Sequence, residues 1–265
     1  MKNQKRILLH GDVIKIDCNC PLPTSFTFLD QRDQRALDLN RYSEKVRKEF
    51  YFEKQIGAVG LNGEILLAHD VHTFERFAVK SVSSWKDSGE AKTRVQDVNT
   101  ALREINIMLQ LNHPNIVRLV KTVWDQQYAH LFTELMNMGD LFSIVSRSSL
   151  LEPEAKFVMF QICQGLKYLH DINIGHGDIK LENIFVKNCS GKLIYKIGDF
   201  GLSVLDENAT KRDGTLLYTA PEIFQEGNPI VSIRKSDIWS LGVVAYACVS
   251  GEFPFTKNDT EQTML

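Results

Sequence analysis

Between His176 and Asn183 the chain reads His-Gly-Asp-Ile-Lys-Leu-Glu-Asn. Asp178 is a carboxylate that can orient an acceptor hydroxyl and take its proton. Lys180 is a cation that can neutralise charge on a transferring phosphate, and Asn183 can hold a metal ion. Sixteen residues beyond Asn183 stands Asp199-Phe200-Gly201, whose aspartate supplies a second metal ligand. A base, a cation and two oxygen ligands in this order are the parts that phosphoryl transfer needs.

The two motifs, in this order and this close together, resemble the catalytic and metal-binding loops of a eukaryotic protein kinase. The resemblance covers about residues 50 to 265, with nearly every family motif in sequence. It implies an α+β, two-lobed protein kinase fold. A small, β-rich N-lobe is expected over residues 49–136 and a mainly helical C-lobe over 137–265. That C-lobe is expected to be incomplete, because family members continue with several more helices, one carrying an arginine that would pair with Glu222. The cofactors implied are ATP and Mg2+, and the substrates are serine or threonine residues of proteins.

From Tyr51 apolar residues alternate around glycines, Ile56-Gly57-Ala58-Val59-Gly60-Leu61-Asn62-Gly63 and then Glu64-Ile65. Glycines between two strands let backbone N–H groups approach phosphates closely. Phe77-Ala78-Val79-Lys80 follows at the distance a kinase places between this loop and its phosphate-contacting lysine. The glycine spacing is one residue longer than the family's G-x-G-x-x-G. By the resemblance Ile65 and Ala78 roof the adenine. Val98, Ala101, Leu102, Ile105, Met108 and Leu109 recur at helical spacing, with Glu104 at the edge of that apolar face. The resemblance makes Glu104 the carboxylate that holds Lys80 against the phosphates. His130 to Asn137 resembles the strand and hinge between the lobes: Thr133 guards the pocket behind the base, and the backbones of Glu134 and Met136 bond to it.

Pro153 suits the first turn of a helix that runs to Asp171 and feeds the catalytic loop. By family role His176 packs against Phe200, Asp237 braces the catalytic loop through backbone hydrogen bonds, and Thr215 contacts Asp178 and Lys180. Gly177 departs from the family, which usually carries there an arginine that binds a phosphate on the activation loop. Ser203, Thr210 and Thr215 are the hydroxyl candidates in that loop. Lys180 and the Gly-Thr at 214–215 favour serine or threonine over tyrosine as acceptor. Asp140 and Glu182 match two acidic positions that bind an arginine three residues before the target, and a solvated acidic surface is the competing reading.

The first thirty residues read as short strands: Leu8-Leu9, a tight turn, Val13 to Ile16, then a strand around Phe26 and Phe28. Their order resembles the last strands of a forkhead-associated (FHA) domain. The loops that read phosphothreonine would precede residue 1, so no phosphopeptide binding is expected. Residues 31–48, dense in Asp, Arg, Gln and Lys, read as a charged linker. The order FHA-like segment then kinase, with Glu-Leu-Met-x-x-Gly-Asp-Leu-Phe, resembles checkpoint kinase 2-type enzymes of the calmodulin-dependent kinase group.

The composition of the 265 residues is 43% hydrophobic and 24% charged, with a formal net charge of −2. That balance offers no basic excess for nucleic acid, and no apolar run is long enough to span a membrane. Five scattered cysteines lack metal-ligand spacing and read as reduced thiols. A soluble, intracellular protein is expected, with the nucleus or cytoplasm following from the resemblance. The rival reading is a pseudokinase or scaffold that binds nucleotide or a partner without phosphotransfer. Gly177, the lengthened glycine loop and the missing helices favour it, whereas the presence of every phosphate- and metal-contacting residue opposes it. A fragment of a longer enzyme is the third reading.

Overall fold

The structure, a computed structural model, describes residues 13–16, 24–27, 37, 39–57, 65–83, 102–125, 128–204, 215–224 and 232–255. Near the N-terminus β1 (Val13–Ile16) pairs antiparallel with β2 (Thr24–Thr27), Val13 standing opposite Thr27. Leu8, Leu9 and Phe28 lie outside the described residues.

A five-stranded antiparallel sheet follows, built from β3 (Phe50–Gln55), β4 (Ile65–Asp70), β5 (Arg76–Ser83), β6 (Leu119–Trp124) and β7 (Tyr128–Glu134). Its order is β3-β4-β5-β7-β6. Alternate residues of a strand point to opposite faces, so Phe77 and Val79 of β5 share one face while Ala78 and Lys80 take the other. Phe50, Phe52, Leu66, Ala68, Phe77, Val79 and Phe132 gather into one apolar cluster. Lys121 lays its ammonium 4.1 Å from the centre of the Phe50 ring, a cation–π contact that keeps its charge near solvent.

This cluster is covered by residues that the charge pattern had assigned to a linker. Leu39–Arg41 form a turn of 3₁₀-helix, and α1 (Glu44–Glu49) follows, its Val46 N–H donating to the Ser43 hydroxyl. Tyr42 and Val46 are buried in the sheet's cluster, while Glu44, Lys45, Arg47, Lys48 and Glu49 face water. The charges are the outer side of a packed element, so residues 39–48 are not a free linker.

The second, larger core holds the helical half. Helix α2, described over residues 102–108, leads to the sheet; α3 (Leu141–Val145), α4 (Glu152–Asp171) and α5 (Ile233–Ser250) lie below with the hairpin β8 (Ile184–Cys189) and β9 (Lys192–Ile197). Pro153 sits in the first turn of α4, where it removes no helical hydrogen bond, and Glu154 reaches back to the Leu151 N–H at 2.9 Å. Ala155, Val158, Ile162, Leu166 and Leu169 of α4 are buried at helical spacing. Each large aliphatic side chain among them contributes about 1.5–3 kcal/mol. Helix α5 ends where Gly251 takes a left-handed conformation (φ +77°) and donates its N–H to Ala247 at 2.9 Å, a conformation that costs glycine nothing.

The face of α2 differs from the apolar pattern. Leu102 and Leu109 are exposed, whereas Ile105, Ile107, Met108 and Leu111 are buried with Glu104 among them. A single carboxylate turned inward toward Lys80 rotates the helix away from the face that leucine counting selects. Val98 and Ala101 lie outside the described residues, among which no helix is long and apolar enough to cross a membrane.

Candidate active site

Lys80 comes from the inner face of β5, and Glu104 from α2. The Lys80 ammonium lies 2.7 Å and 3.0 Å from the two carboxylate oxygens of Glu104, and 3.3 Å from Oδ1 of Asp199. These three side chains are drawn from positions 24 and 119 residues apart along the chain. Burial alone works against charge on Lys80, but Glu104 and Asp199 outweigh it and hold the amine above its usual range. Burial likewise disfavours the Asp199 carboxylate, and Lys80 with the Gly201 N–H overcomes it, so the carboxyl stays below its usual range. Both groups are therefore charged at neutral pH. Asp199 also carries a left-handed backbone (φ +60°), strain of the sort that surrounding structure must impose.

Asp178 stands at the centre of a second group. Its carboxylate lies 2.7 Å from the Lys180 ammonium, accepts from the Asn183 amide at 2.9 Å and from the Thr215 hydroxyl at 3.3 Å. Lys180 also donates to Thr215 at 3.0 Å. The Asn183 amide nitrogen further donates to the Asp178 carbonyl at 2.9 Å. With the nitrogen engaged, its oxygen is the atom left to face a cation.

Two buried groups connect these clusters. His176 donates from Nε2 to the Gly198 carbonyl (3.1 Å) and accepts the Asp178 N–H on Nδ1 (3.2 Å), so the ring is neutral and its tautomer fixed. Burial pushes its pKa down despite the pull of Asp237, Asp178 and Asp199. The ring meets Phe200 edge-on at 5.2 Å. Asp237, on α5, accepts the N–H groups of His176 (2.9 Å) and Gly177 (2.8 Å), and His170 Nε2 at 2.9 Å. Gly177 itself is left-handed at φ +76°, so the glycine that replaces the family's arginine also relieves a backbone strain.

Asn183 and Asp199 are hard oxygen donors, and Asp199 is ionised, a combination that suits a magnesium ion completed by phosphate oxygens and water. Among the described residues no group of three or more His, Cys, Asp or Glu could hold a metal by itself.

Of the residues expected to hold the nucleotide, Ile65 pairs with Lys80 and Ala78 with Thr133 across the sheet, the Thr133 hydroxyl donating to the Ala78 carbonyl at 3.3 Å. Ile65, Ala78, Thr133 and Met136 are half-buried, Gly57 is half-buried and Ile56 exposed. Ala58, Val59, Gly60, Leu61, Asn62 and Gly63 lie outside the described residues, as does Thr210. Ser203 is not an accessible loop hydroxyl: it is fully buried and donates to the His176 carbonyl at 3.0 Å. Asp140 caps α3 by accepting the Ser143 N–H at 2.7 Å, and Glu182 accepts the Tyr218 hydroxyl at 3.1 Å. Both acidic candidates thus have partners within the chain.

Beyond the role expected of its backbone, Glu134 has a buried side chain with partners of its own. That carboxylate bonds Lys196 at 2.6 Å, Lys187 at 2.8 Å and the Arg118 N–H at 3.0 Å. Burial opposes its charge, but the two lysines and the N–H hold its pKa low. The cluster fastens the hinge to β8 and β9, and no local pattern announces it because its members lie 16, 53 and 62 residues away. Lys196→Met is expected to lower stability by about 1–3 kcal/mol, because Glu134 keeps Lys187 and the N–H. Urea unfolding at neutral pH measures it, and an unchanged midpoint would count against the cluster's weight.

A model of the protein kinase domain matches residues 50–265. The ovarian-specific serine/threonine-protein kinase Lok of Drosophila melanogaster is 35% identical over 96% of this chain and 53% of its own length. The probable serine/threonine-protein kinase fhkD of Dictyostelium discoideum is 33% identical over 100% of this chain and 36% of its own. The serine/threonine-protein kinase chk-2 of Caenorhabditis elegans is 30% identical over 99% and 54%. The chain thus spans about half the length of these relatives or less. With the matched region reaching from the first strand of the five-stranded sheet past α5, the chain belongs to the protein kinase family.

Proposed function

We propose that this chain transfers the γ-phosphate of ATP to serine or threonine residues of proteins. The observation that carries the reading is the Lys80–Glu104–Asp199 contact, which brings together a candidate phosphate-binding cation and a candidate metal-binding carboxylate. In this reading Gly57, Gly60 and Gly63 cover the phosphates, and Lys80, fixed by Glu104, aligns them. Asn183 and Asp199 would hold magnesium, which supplies charge neutralisation on the phosphate oxygens when bound. Asp178 accepts the hydrogen bond of the acceptor hydroxyl and takes its proton, while Lys180 offsets charge on the transferred group. Catalysis on this account is positioning and electrostatics, with no covalent enzyme intermediate.

The names of the three relatives support serine or threonine as acceptor. Residues 49–136 are read as the nucleotide lobe and 137–265 as the substrate lobe. The antiparallel pair β1–β2 supports an FHA-like segment over residues 1–30.

The test is labelled phosphate transfer from Mg·ATP to a serine peptide with arginine three residues before the target. A tyrosine version and an arginine-free version run beside it. Transfer to serine and not tyrosine supports the reading, and loss on removing the arginine supports Asp140 and Glu182 as its site. Gly177 leaves the loop without the phosphate-binding arginine, so Thr210→Ala is expected to retain most activity. Near-complete loss in the same assay would contradict that.

A further inference from the structure

A buried polar chain on the outer face of the sheet is used by none of the chemistry above. Ser81 and His130 are directly opposed across β5 and β7, with the Ser81 hydroxyl 2.9 Å from His130 Nδ1. His130 Nε2 lies 3.0 Å from Asp125 Oδ2, and the hydroxyls of Ser81 and Tyr42 are 2.9 Å apart. Tyr42, Ser81 and His130 are all buried, at 1%, 7% and 0% exposure. The Tyr42 ring stacks on His130 at 4.7 Å and lies 4.0 Å from Phe52. Ser43 adds its N–H to Asp125 Oδ2 at 3.2 Å.

The proton sense of this chain follows from its end. An ionised carboxylate accepts only, so His130 donates from Nε2 to Asp125. Burial holds the ring neutral against the pull of Asp125, which leaves Nδ1 as an acceptor. Ser81 therefore donates to Nδ1, and its oxygen also lies 2.9 Å from the Tyr42 hydroxyl.

Its position gives it a purpose. Strand β4 begins at Ile65, which pairs with Lys80, so Lys80 is the last residue of β5 flanked by strands on both sides. Ser81, Val82 and Ser83 pair with β7 alone among the described strands. On the residue directly after Lys80, the Tyr42 hydroxyl supplies a further tether. Tyr42 belongs to the packed segment 39–49, which precedes the region matched by the family model.

We infer that residues 39–49 are a strap that positions Lys80 against Glu104, keyed by Tyr42 into the Ser81–His130–Asp125 relay. Tyr42, Ser81 and His130 are positioning residues and touch no substrate. The inference rests on the kinase reading for its effect on rate, but the mechanical link stands independently of it.

Tyr42→Phe keeps the stacked ring and deletes the key. It is expected to lower kcat about five- to tenfold, the worth of one neutral hydrogen bond expressed in the transition state, with the KM for ATP little changed. Ser81→Ala should do the same, and Ser81→Thr, which keeps a hydroxyl, should restore the rate. In a Glu104→Gln background, where Lys80 keeps Asp199 but has lost the carboxylate the strap holds it against, Tyr42→Phe should have no further effect. Amide exchange in full-length Tyr42→Phe should quicken at Ser81–Ser83 and stay unchanged in β3. A wild-type kcat in Tyr42→Phe overturns the inference. So does an equal loss in the Glu104→Gln background, which is what general loosening gives. Unchanged exchange at Ser81–Ser83 overturns it whatever the activity, whereas absent transfer by the wild type overturns the kinase reading instead.

Discussion

Asp178→Asn is expected to slow phosphoryl transfer by about 10²–10⁴-fold, the usual worth of a positioned general base, while the protein stays folded and still binds nucleotide. The substitution preserves shape. In the native site one carboxylate oxygen faces the donors Lys180 and Asn183, and the other accepts from Thr215. An asparagine can turn its oxygen to Lys180 and Asn183 and donate its amide to the Thr215 hydroxyl. Every neighbour then keeps a partner. What is lost is basicity, because an amide does not take up the acceptor's proton, together with the charge opposite Lys180. Single-turnover transfer measured beside nucleotide binding and a thermal midpoint separates these effects. A variant within a few-fold of wild type, equally folded, would remove Asp178 from the chemistry.

Asp237→Ala is expected to lower stability by about 3–5 kcal/mol, because it orphans three donors around the loop. Asp237 is 1% exposed and accepts three hydrogen bonds, two of them from backbone N–H groups of His176 and Gly177. Those donors cannot move to water without disrupting the loop that presents Asp178. Each orphaned group costs about 1–3 kcal/mol, so the two N–H groups and His170 together account for the range. Asp237→Asn keeps an acceptor and should cost less. Denaturant unfolding with an unchanged slope measures both. A midpoint for Asp237→Ala close to wild type would show that the catalytic loop holds its shape without this brace.

Much of the site is legible in the sequence because its parts are short and contiguous. Asp178, Lys180 and Asn183 share one loop, and Asp199 follows at fixed distance, so residue types at small spacings carry the signal. Lys80 and Glu104 are harder, since each is one charged residue in a chain with many. The family resemblance singles them out, Lys80 by its distance from the glycine loop and Glu104 by its place on the apolar-patterned helix that follows. The helix face was nonetheless misjudged, because Leu102 and Leu109 are exposed while Glu104 is buried. Hydrophobicity ranks leucine inward, and an ion pair with Lys80 overrides that rank.

The hidden parts share a physical feature: they are polar groups whose partners lie far away in sequence. Tyr42 reaches Ser81 across 39 positions and Ser81 reaches His130 across 49. Neither spacing is a motif. Segment 39–49 hides for a further reason: two inward residues, Tyr42 and Val46, carry its docking, whereas its many charges dominate composition. Two apolar positions four residues apart are too few to establish a period. The Glu134 side chain escaped because its backbone already had an assigned role.

The most direct measurement is a time course of labelled γ-phosphate from Mg·ATP to a serine peptide, with ATP binding measured on the same wild-type sample. Both binding and transfer are expected, with transfer lost on chelating magnesium. Binding without transfer would contradict it and make the Lys80–Glu104–Asp199 cluster a nucleotide-holding scaffold.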